Sequence, residues 1–138
     1  MGVIIVTAII KTPINKVWNY WIRTNHITKW NFASNDWYCP KADNNLLVGG
    51  EFHYQMAAKD GSFSFDFWGT YTKIESEKLI EIILGDGRTM SVQFEKLAEG
   101  TKVTESFEPE GENSLELQKM GWQSILDNFK NYVANQED

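Results

Sequence analysis

Glu51-Phe52-His53-Tyr54-Gln55-Met56 and, past Asp60-Gly61, Phe63-Ser64-Phe65-Asp66-Phe67-Trp68-Gly69-Thr70-Tyr71 decide how this chain is read. Side chains of a strand alternate between faces, so Phe52, Tyr54 and Met56 share one face of the first run. Phe63, Phe65, Phe67 and Tyr71 share one face of the second. His53, Gln55, Ser64, Asp66 and Thr70 fall on the opposite side. Asp-Gly supplies the turn chemistry for a hairpin, and the result is a hairpin with one heavily aromatic face. Such a face must be covered by a dry core or border a cavity that admits an apolar ligand.

Working outward, Leu79 to Leu84, Arg88 to Leu97 after Gly85-Asp86-Gly87, and Thr101 to Phe107 after Glu99-Gly100 read as three further strands of an antiparallel meander. Gly49-Gly50 marks a bulge or sharp bend where the strand before the hairpin turn begins, near Leu47. Val3 to Ile10 is rich in β-branched residues and reads as a first strand. Thr12-Pro13 then has the form of an N-cap followed by proline at the first helical position, opening a short helix to about Trp21. Thr24 caps a second short helix ending near Trp30. Asn31 to Asn45, which contains Cys39-Pro40, shows no period and reads as a long connection. Asn113 with Glu116 three positions on has the form of a capping box. Leu115, Trp122, Ile125, Leu126, Phe129 and Val133 follow at helical spacing, so a helix of about five turns closes the chain. The fold class is therefore α+β, with the C-terminal helix laid against a curved antiparallel sheet of six or seven strands and the aromatic face turned toward Trp122.

At 138 residues the chain fits one domain, taken as 1–138, and a composition 42% hydrophobic and 14% aromatic argues for a folded globule and against disorder. The formal charge of −6 disfavours nucleic acid and anionic lipid surfaces as partners. The Val3–Ile10 run is too short to span a bilayer and lacks the basic start of a signal peptide. A single cysteine, Cys39, forms no internal disulfide, in keeping with a reducing compartment. Together these features point to a cytoplasmic protein.

Thr12-Pro13 with Val17-Trp18, Trp30, Leu47-Val48-Gly49-Gly50-Glu51-Phe52, Asp60-Gly61, Gly69-Thr70-Tyr71, and Gly121-Trp122 with Ile125-Leu126 resemble, in order and over nearly the whole chain, the START-like helix-grip superfamily (SRPBCC, birch-pollen-allergen-like). Within it they resemble the heat-shock-protein ATPase activator (AHSA-type) branch, which is linked to polyketide-cyclase-type proteins. The resemblance implies a sheet gripping the C-terminal helix with a hydrophobic cavity between them. It does not imply one activity, since such proteins include carriers, receptors, cyclases and cochaperone domains with a role in stress response. Cochaperone members carry an additional N-terminal domain that this sequence does not show, which counts against a full cochaperone role.

Little in the residues calls for catalysis. Two histidines, His26 and His53, and one cysteine make no cluster with ligand spacing, and neither a nucleophile elbow nor a phosphate-cradling loop appears. No metal, cofactor or catalytic residue is expected. Strand parity carries the sharper signal. Arg88 shares a face with Met90, Val92 and Phe94, and Glu105 shares one with Val103 and Phe107, so both charged residues are expected to point inward. Burial raises the pKa of a carboxylate and a neighbouring guanidinium lowers it. Arg88 reaching solvent with Glu105 paired at the rim is the structural reading. In the functional one Glu105 and Arg88 anchor a ligand in an aromatic pocket, with Tyr54 and Tyr71 as hydrogen-bond donors. General-acid chemistry by Glu105, in a cyclase or hydrolase, is the third.

Trp30 and Trp37 stand where a mouth, a lid or a staple for the connection would be. Trp68 takes the outer face and, with Trp18 or Trp21, is a candidate protein contact or dimer patch. The candidate ligand-binding set is thus Trp30, Trp37, Phe52, Tyr54, Met56, Phe65, Phe67, Tyr71, Arg88, Met90, Phe94, Glu105, Phe107 and Trp122. The expected partner is a small hydrophobic molecule, with a chaperone or second copy as rivals.

Overall fold

The computed structural model describes residues 2–136. One seven-stranded antiparallel sheet forms the body, in the order β1-β7-β6-β5-β4-β3-β2. Its strands are β1 (Ile4–Ile10), β2 (Trp37–Asn44), β3 (Glu51–Ala58), β4 (Ser64–Glu75), β5 (Leu79–Leu84), β6 (Thr89–Leu97) and β7 (Gly100–Phe107). Helices α1 (Ile14–Ile22) and α2 (Thr24–Trp30) follow β1, and α3 (Leu115–Ala134) follows β7. Only β1 is placed out of sequence order, crossing to pair with β7 from Ile4↔Phe107 to Ile10↔Thr101.

Alternation along the strands builds the core. β1 buries Ile4, Val6, Ala8 and Ile10, β5 buries Ile80, Ile82 and Leu84, and β7 buries Thr101, Val103, Glu105 and Phe107. Helix α3 presents Leu126, Phe129 and Val133 to this face and packs on β1 and α2. Two side-chain amides tie it down: Gln123 donates to the Thr7 carbonyl at 3.0 Å and Asn128 to the Trp30 carbonyl at 2.8 Å. Trp18 and Trp21 meet Phe94 edge to face, and Trp21 and Trp30 both lie against Phe129. These tryptophans staple the two short helices to sheet and α3, so Trp18 and Trp21 belong to the interior and not to a surface patch. Trp68 does take the outer face, where it lies half-buried over Gly85 and parallel to His53, with ring centroids 5.4 Å apart.

The sequence reading departs from the structure at several points. The stretch from Asn31 to Asn45 is not a bare connection: Trp37–Asn44 forms the edge strand β2, paired with β3. Its period is obscured because one side of an edge strand has no neighbour and because the register shifts between Tyr38 and Lys41, around Pro40. A proline, having no N–H to donate, is tolerated at such a bulge. Gly49-Gly50 does form the expected sharp bend, with Gly49 at φ 88°, but β3 begins only after it, at Glu51, and Leu47 and Val48 are exposed residues of the turn. Pro13, not Thr12, is the N-cap of α1, while the Thr12 carbonyl instead accepts from the Thr101 hydroxyl at 2.8 Å. Ser114, not Asn113, caps α3, its hydroxyl accepting from the Leu117 amide at 3.1 Å. Leu115, expected among the inward residues of this helix, is exposed.

No helix among the described residues is long and apolar enough to cross a membrane. No group of three or more His, Cys, Asp or Glu placed to hold a metal ion occurs among them.

Candidate functional site

Between the concave face of the sheet and α3 lies a cavity of about 440 Å³. β3 and β4 supply one wall. Tyr54 pairs with Phe67 and Met56 with Phe65 across the two strands, and Phe52 faces Gly69. Gly69 is required there, because a β-carbon would come within 2.9 Å of the Ile83 carbonyl and 3.0 Å of the Phe52 ring. Phe52, Tyr54, Phe67 and Tyr71 consequently form one continuous aromatic surface, with Phe52 at 4.6, 5.6 and 5.7 Å from the other three rings. Ile80, Ile82, Met90 and Val92 continue the wall through β5 and β6, and Gly121, Trp122 and Ile125 of α3 close over it.

Twelve of the fourteen candidate residues line this cavity: Trp30, Trp37, Phe52, Tyr54, Met56, Phe65, Phe67, Tyr71, Arg88, Met90, Glu105 and Trp122. The other two, Phe94 and Phe107, do not. Phe94 is buried against Trp18 and Trp21. Phe107 is fully buried behind Trp122, its ring stacked on the indole with centroids 3.7 Å apart and planes 12° off parallel. Parity gave their face correctly, but a face is longer than a cavity, and helices cover its ends. The mouth is marked by exposed lining residues, Ala33 and Phe65 on one side, Asn113 and Leu117 on the other. Trp37 stands beside Phe63 and Phe65 at this edge, 6.2 and 6.1 Å away. Phe63 itself is 59% exposed.

Polar groups in the cavity are few and well defined. Tyr54 donates to Tyr71, which donates to the Asn44 side chain at 2.5 Å, and Asn44 in turn donates to the Ile22 carbonyl at 2.8 Å. Burial holds both phenols protonated, pushing Tyr71 up to about 12 and Tyr54 well above the usual range. Asn31, buried, donates to the Met56 sulfur at 3.3 Å. At the mouth, Gln118 fastens the segment before α3 through the Glu110 amide and the Glu110 and Asn113 carbonyls.

Arg88 and Glu105 both line the cavity, yet they do not pair. Arg88 is engaged at the strand end, its Nε donating to Asp86 at 2.6 Å and a terminal nitrogen to the Glu108 carbonyl at 3.0 Å. Arg88 is therefore held at the strand end, and it does not pair with Glu105. Glu105 sits on β7 with Val6 and Val92 at its sides and only 6% of its surface exposed. Among the described residues it makes no hydrogen bond or ion pair. With burial alone acting on it, its pKa rises from 4.5 to about 8, so a neutral carboxylic acid faces the cavity at neutral pH.

Sequence reasoning missed about half of the lining. Ile80, Ile82 and Val92 were available from the same parity that placed Met90. Leu117, Gln118, Gly121 and Ile125 follow from helical spacing around Trp122. Trp21, Asn31, Ala33, Glu110 and Asn113 carry no sequence signal, since loop and helix packing alone brings them there.

Comparison with known proteins agrees with this architecture. The family model described as Activator of Hsp90 ATPase homolog 1-like protein matches residues 11–134. The chain belongs to that family. The AHSA1-like protein of Aeromonas hydrophila, solved by NMR, is 40% identical to this family member, with a TM-score of 0.90 over 99% of this chain and 98% of its own. A Cytophaga hutchinsonii protein is 44% identical, with a TM-score of 0.83 over 98% and 96% of the two chains. A Chromobacterium violaceum protein shares the fold at 17% identity, with a TM-score of 0.86 over 99% of this chain and all (100%) of its own. No curated protein matches the chain.

Proposed function

We propose that this AHSA1-like protein binds a small hydrophobic or amphipathic molecule in the cavity between sheet and α3, without covalent chemistry. One observation carries the reading: about 440 Å³ of space, walled mainly by aromatic and aliphatic side chains, opens beside a lone neutral carboxyl and a pair of phenols. A domain that needed only a core would gain by filling that space, because voids forfeit dispersion contacts and transfer energy. Few polar groups set among many apolar ones is the composition of a ligand pocket. Glu105 takes a binding role rather than that of a general acid, since a lone carboxyl with no positioned nucleophile beside it lacks half of an acid–base mechanism. A cytoplasmic setting is consistent with the acidic composition and the single free cysteine.

Native mass spectrometry of the purified protein, followed by thermal shift across a panel of lipids and aromatic metabolites, tests the reading. A retained small molecule, or a dose-dependent rise in Tm, is expected. A clean apo mass with no shift across the panel overturns it. The second reading, a protein-contact module of the kind the family description names, draws on the apolar side chains Phe63, Phe65 and Leu117 exposed at the mouth. It becomes the better one if an ATPase chaperone binds the protein while the panel fails.

A further inference from the structure

We propose that the cavity selects a lipophilic amine, taken up as its ammonium ion, with Glu105 as the anionic anchor and the aromatic walls as the cation-stabilising surface. This rests on the cavity being a binding site and names the class of ligand it takes.

The charges of the lining point to a cation. Glu105 lies deep and without a partner, and Glu110 stands near the mouth. Among the described residues the only basic one in the lining is Arg88, which already donates to Asp86 and to the Glu108 carbonyl. An anionic head group would find no free cation beyond the rim. An ammonium would find one carboxyl and the faces of aromatic rings, whose negative quadrupoles attract cations most strongly when water is excluded. Desolvating a lone charge is costly, and a carboxylate and an ammonium buried together offset part of that cost in each other.

Protonation makes the idea measurable. The other titratable groups lining the cavity are Tyr54 on β3, Tyr71 on β4, Arg88 before β6 and Glu110 before α3. α3 itself contributes none, and the β7 neighbours of Glu105 on β1 and β6 are Val6 and Val92. The two tyrosines stay neutral through the ordinary range. Glu105 is therefore the group that changes charge. On uptake, the ammonium keeps its proton, Glu105 gives its own to the buffer, and the complex is neutral. With the free acid ionising near 8, the ionised fraction limits affinity about 100-fold at pH 6, about tenfold at pH 7 and about twofold at pH 8. Amine affinity accordingly rises about 50-fold from pH 6 to pH 8. A neutral ligand accepting a hydrogen bond from the acid shows the opposite slope, holding its affinity up to pH 8 and weakening above.

The experiment uses tryptamine, tryptophol and indole-3-acetate, which share one ring system and differ in head group, in isothermal calorimetry at pH 6, 7 and 8. At pH 7 it is repeated in two buffers of different ionisation enthalpy. Tryptamine is expected to bind tightest at pH 8, to gain about 50-fold from pH 6, and to release about one proton at pH 7. Glu105→Gln is expected to abolish the slope and the proton release while leaving tryptophol binding within a few-fold. Tryptophol or indole-3-acetate binding as well as tryptamine at pH 8 overturns the amine assignment and leaves the cavity reading standing. So does a flat pH profile for tryptamine, and the wild-type series decides this even if the variant misfolds. Failure of all three probes at millimolar concentration, together with a silent thermal-shift panel, overturns both.

Discussion

Replacing Glu105 by Gln should leave the protein almost unchanged near pH 4 and make it progressively more stable than the wild type as pH rises through neutrality into alkali. The folded state holds the Glu105 proton far more tightly than the unfolded chain does, with ionisation near 8 against 4.5. A carboxyl raised in this way contributes stability that is complete below the unfolded value and drains away as pH climbs to the folded one. Between pH 6 and pH 9 the difference in proton binding amounts to about two decades, or about 2–3 kcal/mol at 1.36 kcal/mol per decade. That is a large share of a domain's total stability of roughly 5–15 kcal/mol. Glutamine keeps the shape and polarity of the acid and cannot ionise. The variant should therefore match the wild type within about 1 kcal/mol at pH 4, where the acid is protonated in both states and one buried neutral polar group replaces another, and exceed it by about 2 kcal/mol at pH 6 and about 4–5 kcal/mol at pH 9. Urea unfolding followed by tryptophan fluorescence at several pH values measures this directly. His26 and His53 titrate in both proteins, so their contributions cancel in the difference. Parallel pH profiles for the two proteins, or a wild type more stable than the variant at pH 9, would refute the view of Glu105 as a buried and unpaired acid.

The other expectations concern the walls and the surface. Phe107→Ala removes a fully buried ring stacked on Trp122 and should cost about 3–5 kcal/mol in urea unfolding; a loss below 1 kcal/mol would mean that the stack contributes little. The two histidines should show pKa values displaced in opposite directions from the usual one by NMR. His53 lies above the usual value because Asp66 and Glu51 accept from its ring at 2.7 and 2.9 Å, and His26 lies below it through burial and the nearby Lys29 and Arg23. His53 thus adds stability that is full in mild acid and lost as pH rises through its folded pKa, and the reverse order of titration would show that this outer cluster does not form. Cys39 is buried with its thiol pushed up by burial, so it should react with a disulfide reagent only at the rate of unfolding or local opening. Rapid modification of the native protein would contradict that.

Much of the cavity was legible in advance because strand parity is a strict rule. Once β3, β4 and β6 are recognised, period two assigns Phe52, Tyr54, Met56, Phe67, Tyr71 and Met90 to one face, and burial of any of them carries the rest with it. The same rule turned Glu105 inward. It failed where the rule does not apply. β2 is an edge strand broken at Pro40, paired on one side only, so its alternation is diluted below recognition. Phe63 precedes the first residue of β4, where strand parity no longer holds, and stays in solvent. The cap of α3 slipped by one residue because Asn113 and Ser114 are both good caps, and Asn113 is taken up by the Glu110 carboxylate.

What the sequence determines alone is local and periodic: seven of the ten elements close to their bounds, the aromatic hairpin, the closing helix and the inward carboxyl. These follow from short-range geometry that every strand or helix obeys whatever surrounds it. The tertiary structure decides the long-range terms. Whether Arg88 neutralises Glu105 depends on a strand end where Asp86 and the Glu108 carbonyl compete for the same guanidinium. Whether the aromatic face closes into a dry core depends on where α3 comes to rest, held by Gln123 to β1 and by Asn128 to the end of α2. Those contacts join residues about a hundred positions apart, and neither periodicity nor propensity carries information over that distance. They hold α3 against the outer strand β1 and the second short helix, and between it and the aromatic hairpin there remains space with a single uncompensated acid on its wall.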